Sequence, residues 1–478
     1  MKTYNLFKQI FLLLALVLPF SSCTEDKMDD INENKNNPED MQARFIITDA
    51  MAKTAFSVTG TDYNYYASVF IEHNVGTYGQ MYNAEIRVSE PTSASTYGNA
   101  WRSSYECIWY LRIIIDKCSD GGAEEGNYHT MGISQILMAY NIAVLTDLMG
   151  DVPWTEAGKP TEIPQPKLDK QEDIYSDIFA LLNEGIANLE KESSYASLGT
   201  QDLIYGGDAD KWIKAAWGLK ARYAMRLSHR NPQYRNVIDW VDESFADAGE
   251  QFQFNYNGST TVSPMYKFHQ DRLGNLGSSQ SLYAKIEERN DPRESKFFLE
   301  NSGELAPNGK PEQNQAKYGT SALSSPTAPT YLLSYHELQF LKAEAYARLN
   351  NTTEALNALS KAITAAFEKV GLTEDEADEY FESIQGRLNT NLLEEIMVQK
   401  YLAFYEEESM EAYNDYRRLT AMGNENFIRL SNANNPAKFP KRYTYGDSDV
   451  SANENIGSIF GNGSYVYEEP VWWAGGTR

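Results

Sequence analysis

The sequence predicts an all-α protein in which tetratricopeptide-like helix pairs form a superhelical scaffold, interrupted by long irregular loop segments. Three observations lead there. Apolar residues recur three and four apart over long windows, the period of a helix buried on one face. Several such windows are joined by only a few residues, as antiparallel helix pairs require. Strand signals are confined to two short runs, residues 252–256 and 465–467.

The first element stands apart from the scaffold. Lys2 and Lys8 give a positive flank, and residues 10–20 after it carry no charge. A run of about 11 residues is too short to span ~30 Å of hydrocarbon as a helix. It has the length and flanks of a signal-peptide core. Ser21 and Ser22 then lead to Cys23, small residues before a cysteine, which reads as a lipoprotein cleavage site. Residues 1–22 are therefore expected to be removed and Cys23 to be lipidated. Several acyl chains at ~0.8 kcal/mol per buried CH₂ make a durable anchor. Residues 23–36 are polar and poor in core formers, so they read as a flexible tether. The body is expected to occupy 37–478. No later run is expected to cross a bilayer, the remaining apolar runs being short and amphipathic.

Helices follow in order. The first spans 38–56, with Pro38 at its start. The second, 99–118, carries Trp101, Tyr105, Ile108, Leu111 and Ile115 at helical spacing. Cys107 and Cys118 lie on it 11 residues apart, or ~16 Å along a helix, beyond the reach of a disulfide. Residues 129–149 form the third, stopped by Gly150 and Pro153. Further helices are expected at 169–190, at 208–229 from an Asp208 start, and at 330–349, 352–370, 389–408 and 410–420. The pair 330–349 and 352–370 is the clearest tetratricopeptide-like unit. Leu338, Ala343 and Tyr346 face Ala355, Leu359 and Ala362. No clean 34-residue period runs through the chain, so the repeats are degenerate, each pair stacking on its neighbours.

Two stretches break the pattern: residues 57–98, rich in Tyr, Gly, Ser and Thr, and residues 244–330, rich in Gly, Asn, Pro and Ser. Long irregular insertions in a compact body often carry function.

Composition excludes some roles. The formal charge of −25 becomes −27 once Lys2 and Lys8 leave, which opposes nucleic acid and electrostatic attraction to anionic lipid. Catalytic motifs are missing from the sequence. There is no phosphate-cradling glycine loop and no Gly-x-Ser-x-Gly elbow. His336-Glu337 is followed by Phe340 where a zinc protease needs its second His. Asp447-Ser-Asp449 lacks the glycine and terminal Glu of a calcium loop. With 67 acidic residues, no carboxylate pair can be singled out as a glycosidase pair. No catalytic residue, metal site or cofactor is therefore expected.

Aromatic chemistry remains, with 32 Tyr and 8 Trp in the chain. A Tyr or Trp ring can stack on the CH face of a pyranose while flanking polar groups read its hydroxyls. Trp101, Tyr105, Trp212, Trp217 and Tyr223 sit at helical spacing and read as core. Tyr78, Tyr82 and Tyr97 from the first irregular segment, and Tyr266, His269, Asp271 and Arg272 from the second, are the candidate ligand-binding residues.

Several segments, in order, resemble the SusD/RagB family of outer-membrane nutrient-binding lipoproteins. They are TDLMGDVPWTEA from Thr146, GDADKWIKAAWGLKARYAMRL from Gly207 and NDPR from Asn290. YHELQFLKAEAYAR from Tyr335 follows, then EIMVQKYLAF from Glu395 with EAYNDYRR from Glu411. Together they cover residues 37–478, and Glu25 and Asp26 behind Cys23 resemble the surface-export signal of such lipoproteins. The resemblance implies a SusD-like helical body that packs on a SusC-like TonB-dependent outer-membrane transporter and faces the cell exterior, with the two irregular segments forming the ligand face. It implies capture of an oligosaccharide, or in some members a peptide, and delivery into the transporter barrel rather than catalysis. The matching motifs are mainly structural in this family, and binding residues vary among members. A protein–protein scaffold of an outer-membrane complex is the alternative, and an all-helical glycan-active enzyme the more distant one.

Overall fold

The apolar stripes read from the sequence become helices, and what lies between them is more ordered than composition implies. The computed structural model describes residues 41–159, 161–435 and 437–478. Cys23, the signal and tether expectations and the Pro38 helix start lie outside the described residues.

Helix α1 (Ala43–Lys53) continues into a π-turn, Thr54–Thr59. The first irregular segment then holds helix α2 (Asp62–Phe70), strand β1 (Asn74–Gly76) and helix α3 (Gly79–Glu85). Helices α4 (Gly98–Cys118) and α5 (Tyr128–Met149) follow. Helix α5 departs from the expectation of amphipathic runs. It is long and apolar enough to cross a membrane, yet 94% of its apolar window is buried inside the body. It is a core helix, apolar all round because neighbours cover every face. Strand β2 (Val152–Pro153) pairs with β3 (Leu168–Asp169), and α6 (Gln171–Leu189) returns along α5. Their axes approach at two glycines: a Cβ on Gly132 would sit 2.7 Å from the Gly185 carbonyl oxygen.

Helix α7 (Ala209–Arg226) starts at Asp208, whose side chain accepts from the Lys211 amide at 3.2 Å. It packs on α8 (Tyr234–Asp242), a helix too short to stand out in the sequence. The second irregular segment contains β4 (Phe252–Phe254), α9 (Pro264–Asp271), β5 (Leu276–Ser278), α10 (Gln280–Glu287) and α11 (Glu294–Phe297). Strand β6 (Thr330–Leu333) pairs antiparallel with β4. The helix expected at 330–349 is therefore α12 (Tyr335–Arg348) alone. Ser334 caps it, accepting from the Glu337 amide at 3.3 Å, and the four residues before the cap extend into the ladder instead. Helix α13 (Thr352–Lys369) completes the pair with α12.

Helices α14 (Glu374–Ser383), α15 (Gln385–Thr390), α16 (Leu392–Ala403) and α17 (Ser409–Ala421) follow. The C-terminal stretch adds α18 (Asp447–Ala452), α19 (Glu454–Phe460) and α20 (Tyr465–Glu468). The strand expected at 465–467 is thus a helical turn. One apolar core joins α1, α2, α4–α8 and the C-terminal stretch, and a second gathers α10–α17.

The helix pairs are clamped together by buried ion pairs. Arg222 of α7 donates to both oxygens of Glu337 in α12, one bond at 2.8 Å. Arg226 reaches Asp147 of α5 at 3.2 Å and also Glu411 of α17. Arg418 holds Glu344 through two bonds of 2.7 Å, and Arg293 holds Asp291 at 2.6 Å. Removing one partner of such a pair costs about 3–5 kcal/mol because the other is left charged and dry. These residues come from the segments that carried the family resemblance, and they hold structure here rather than ligand.

Candidate functional site

The two irregular segments meet. Strand β1 lies antiparallel to β5, Asn74 opposite Ser278 and Gly76 opposite Leu276. The pairing continues beyond the strands: the Thr77 amide donates to the Asn275 carbonyl at 2.9 Å, and its hydroxyl to the Gly274 carbonyl at 2.8 Å. The chain then turns into α3 at Gly79, whose φ of +57° suits glycine. A third strip joins at Gly274, where a Cβ would sit 2.1 Å from the Gln315 carbonyl oxygen. Only glycine allows that approach, and Gln315 Nε2 donates back to the Leu273 carbonyl at 3.0 Å.

These contacts enclose a cleft of about 490 Å³ between the start of α3, the end of α9 and residues 315–316. Tyr78, 39% exposed, lines it, and Phe268 adds a second ring. Asp271 and Arg272 stand at the end of α9. Asp271 pairs with Lys267 at 2.5 Å, one helical turn away. Arg272 is exposed, and its guanidinium has no bond among the described residues. Gln80, Gln270, Asn275 and Gln315 supply amides. Such groups donate and accept at once, as sugar hydroxyls do.

Of the candidate residues, Tyr78, Asp271 and Arg272 are brought together. Tyr82 and Tyr266 are half-buried on α3 and α9 and do not line the cleft. His269 lies on the inner side of α9 as a brace. Its Nε2 meets Glu406 Oε1 at 2.9 Å, and Asn74 Nδ2 donates to Glu406 Oε2 at 3.3 Å. Glu406 is fully buried with φ of +79°, and it ties both walls of the cleft to the turn between α16 and α17. Tyr97 is a correction. It is 0% exposed and stacked on Tyr443 with ring centroids 4.1 Å apart. It caps α4 one turn before buried Trp101, so it is core and out of reach of a ligand. The expected core aromatics Trp101, Trp212 and Tyr223 are buried.

Phe268, Leu273 and Gln315 line the cleft without any signal in the residue pattern. Leu273 is 72% exposed at the cleft rim, which its apolar character would not suggest. Among the described residues, no group of three or more His, Cys, Asp or Glu is placed to hold a metal.

Comparison with known proteins places this architecture. The SusD-like family model described as "Starch-binding associating with outer membrane" matches residues 35–446. No curated protein matches the sequence. A SusD/RagB family protein from Bacteroides thetaiotaomicron superposes with a TM-score of 0.86 at 42% identity, over 92% of this chain and 100% of that one. A chitin-binding SusD homolog from Flavobacterium johnsoniae gives 0.71 at 20% identity, over 90% and 98%. A SusD homolog from Bacteroides fragilis gives 0.73 at 18% identity, over 91% and 100%. The last two share the fold.

Proposed function

The chain belongs to the SusD-like family, and from that premise we propose that it is an outer-membrane lipoprotein that captures an oligosaccharide. In this reading lipid on Cys23 holds it at the cell surface, and it passes its cargo to a TonB-dependent transporter. The anchor and the hand-off rest on the leader before Cys23 and on the family resemblance.

The observation that carries the ligand class is the composition of the cleft. Exposed Tyr78 and half-buried Phe268 offer ring surface, Arg272 offers an unspent guanidinium, and four amides surround them. Asp271 is the one carboxylate among the described residues lining it. Glycosidic hydrolysis ordinarily uses two carboxylates flanking the bond, so this cleft is suited to binding rather than turnover.

The test is direct. Full-length protein in detergent, titrated with starch, chitin and host-glycan oligosaccharides, is expected to bind at least one saturably and release no reducing ends. Tyr78→Ala is expected to weaken that binding by ~1–3 kcal/mol, through lost ring contact, or roughly 5- to 150-fold in Kd, with no change in melting temperature. Release of reducing ends would sink the binding reading. Blank glycan titrations with retention of peptides would move the ligand class to peptide.

A further inference from the structure

A second cleft, of about 370 Å³, lies between α4, the loop 153–166 and the start of α18. Its volume falls at the lower end of ligand pockets, ~300–1,000 Å³. The walls are pinned from behind. Tyr105 donates to the Pro153 carbonyl at 2.9 Å, and Asn453 to the Pro166 carbonyl at 2.8 Å. Arg112 lies over the Trp154 ring at 4.6 Å and donates to the Trp154 carbonyl at 2.5 Å. The Trp101 indole N–H donates to Asp449. The groove therefore keeps its shape without an occupant, which lowers the ordering cost of binding.

Its lining has two parts. Trp109, 45% exposed, together with Ile163, Pro164 and Pro166, presents apolar surface. Around that surface stand polar groups with unspent capacity. The side chains of Arg102 and Lys159 make no hydrogen bond or ion pair among the described residues. Asp449 uses only Oδ2, for Trp101, and Glu156 only Oε2, for the Lys167 amide. Donors and acceptors thus share the cleft with an indole, the complement of a ring that is apolar on its CH face and hydroxylated at its edge.

We propose that the Trp109 cleft is a second saccharide-binding site. It takes its ligand class from the glycan-binding reading above but shares no residue with the first cleft. Two sites on one chain would grip a polymeric glycan at two points, raising avidity without new chemistry.

Calorimetric titration of the full chain in detergent tests this, using a panel of neutral and uronic-acid oligosaccharides that includes maltoheptaose and chitohexaose. Two sites per chain are expected for whichever oligosaccharide binds. Trp109→Ala is expected to leave one, weakening its own site by about tenfold or more, while Tyr78→Ala leaves the other. If Trp109→Ala lowers the melting temperature, Arg102→Met, at an exposed and unbonded position, replaces it. A single site lost in Tyr78→Ala and untouched in both Trp109→Ala and Arg102→Met overturns the second site and leaves the first reading standing. A single site lost in Trp109→Ala and untouched in Tyr78→Ala supports this proposal and overturns the first. Silence across the whole panel overturns both.

Discussion

Replacing Gly132 by alanine sets two opposed terms against each other. In a helix interior alanine is favoured over glycine by about 1 kcal/mol, from backbone entropy alone. At this position, however, the added Cβ would meet the Gly185 carbonyl oxygen at 2.7 Å and Leu189 Cγ at 2.8 Å. Ordinary Cβ contacts begin near 3.4 Å, so α6 must move away by roughly half an ångström or more. The α5–α6 contact is the most extensive helix–helix contact in the fold, and a gap of ~0.5–1 Å forfeits a quarter to a half of each dispersion well along it. Overpacking of this kind costs ~1–3 kcal/mol. Because the clash is with backbone, the upper part of that range applies, and ~2–3 against ~1 leaves a net loss of ~1–2 kcal/mol. Urea unfolding followed by far-ultraviolet circular dichroism reads this as a lower midpoint at unchanged slope. Gly386→Ala is the matched control. Nothing lies within 4 Å of its added Cβ, so it should stabilise by ~0.4–1 kcal/mol. If both variants shift the midpoint upward, close approach of α5 and α6 is not what keeps glycine at 132.

Two further predictions concern buried glutamates. Burial pushes the Glu407 carboxyl up to about 8, despite Lys369 at 4.0 Å, with Glu406 and Glu408 adding to the rise. An unfolded glutamate titrates near ~4.3, so between those values the folded chain keeps a proton that the unfolded chain has lost. Stability attributable to Glu407 therefore falls as pH rises from ~4.3 towards 8, by up to ~1.4 kcal/mol per unit, and levels off above. Glu407→Gln keeps the neutral form and should flatten that part of the profile; superimposable midpoint–pH curves from pH 5 to 9 would refute it. Glu406→Ala removes the acceptor shared by His269 and Asn74, leaving two buried donors at ~1–3 kcal/mol each. Amide exchange should quicken in residues 264–278 while α5 and α6 stay protected, and a uniform rise would show that Glu406 does not brace the cleft.

Long helices were legible because periodicity survives without tertiary information: 129–149 and 352–370 match α5 and α13 to a residue. Misreadings cluster where polar aromatics do apolar work. Tyr63, Tyr66 and Phe70 sit at helical spacing on α2 and are buried, yet the Gly, Ser and Thr around them made 57–98 look like open loop. Tyr97 was misplaced for the same reason. The two irregular segments do meet, and Tyr78, Asp271 and Arg272 from them line one cleft. What spacing could not show was the partner strip. Gln315 enters the cleft only because Gly274 admits its backbone, and a contact between residues that distant leaves no periodic trace.

The β1–β5 ladder has a consequence for the history of each molecule. Its strands lie roughly two hundred residues apart, and the Glu406 brace comes later still. A chain emerging from its amino end can form α4 to α7 early, since each of those helices packs on the next. Pairings of long separation form slowly because the intervening loop must first be closed. The cleft thus closes late, only once Glu406 has been made. A chain cut short before Glu406 would keep its early helices but lack the acceptor that ties β1 and α9 together, so under the binding role proposed above such a fragment is expected to bind nothing at this cleft.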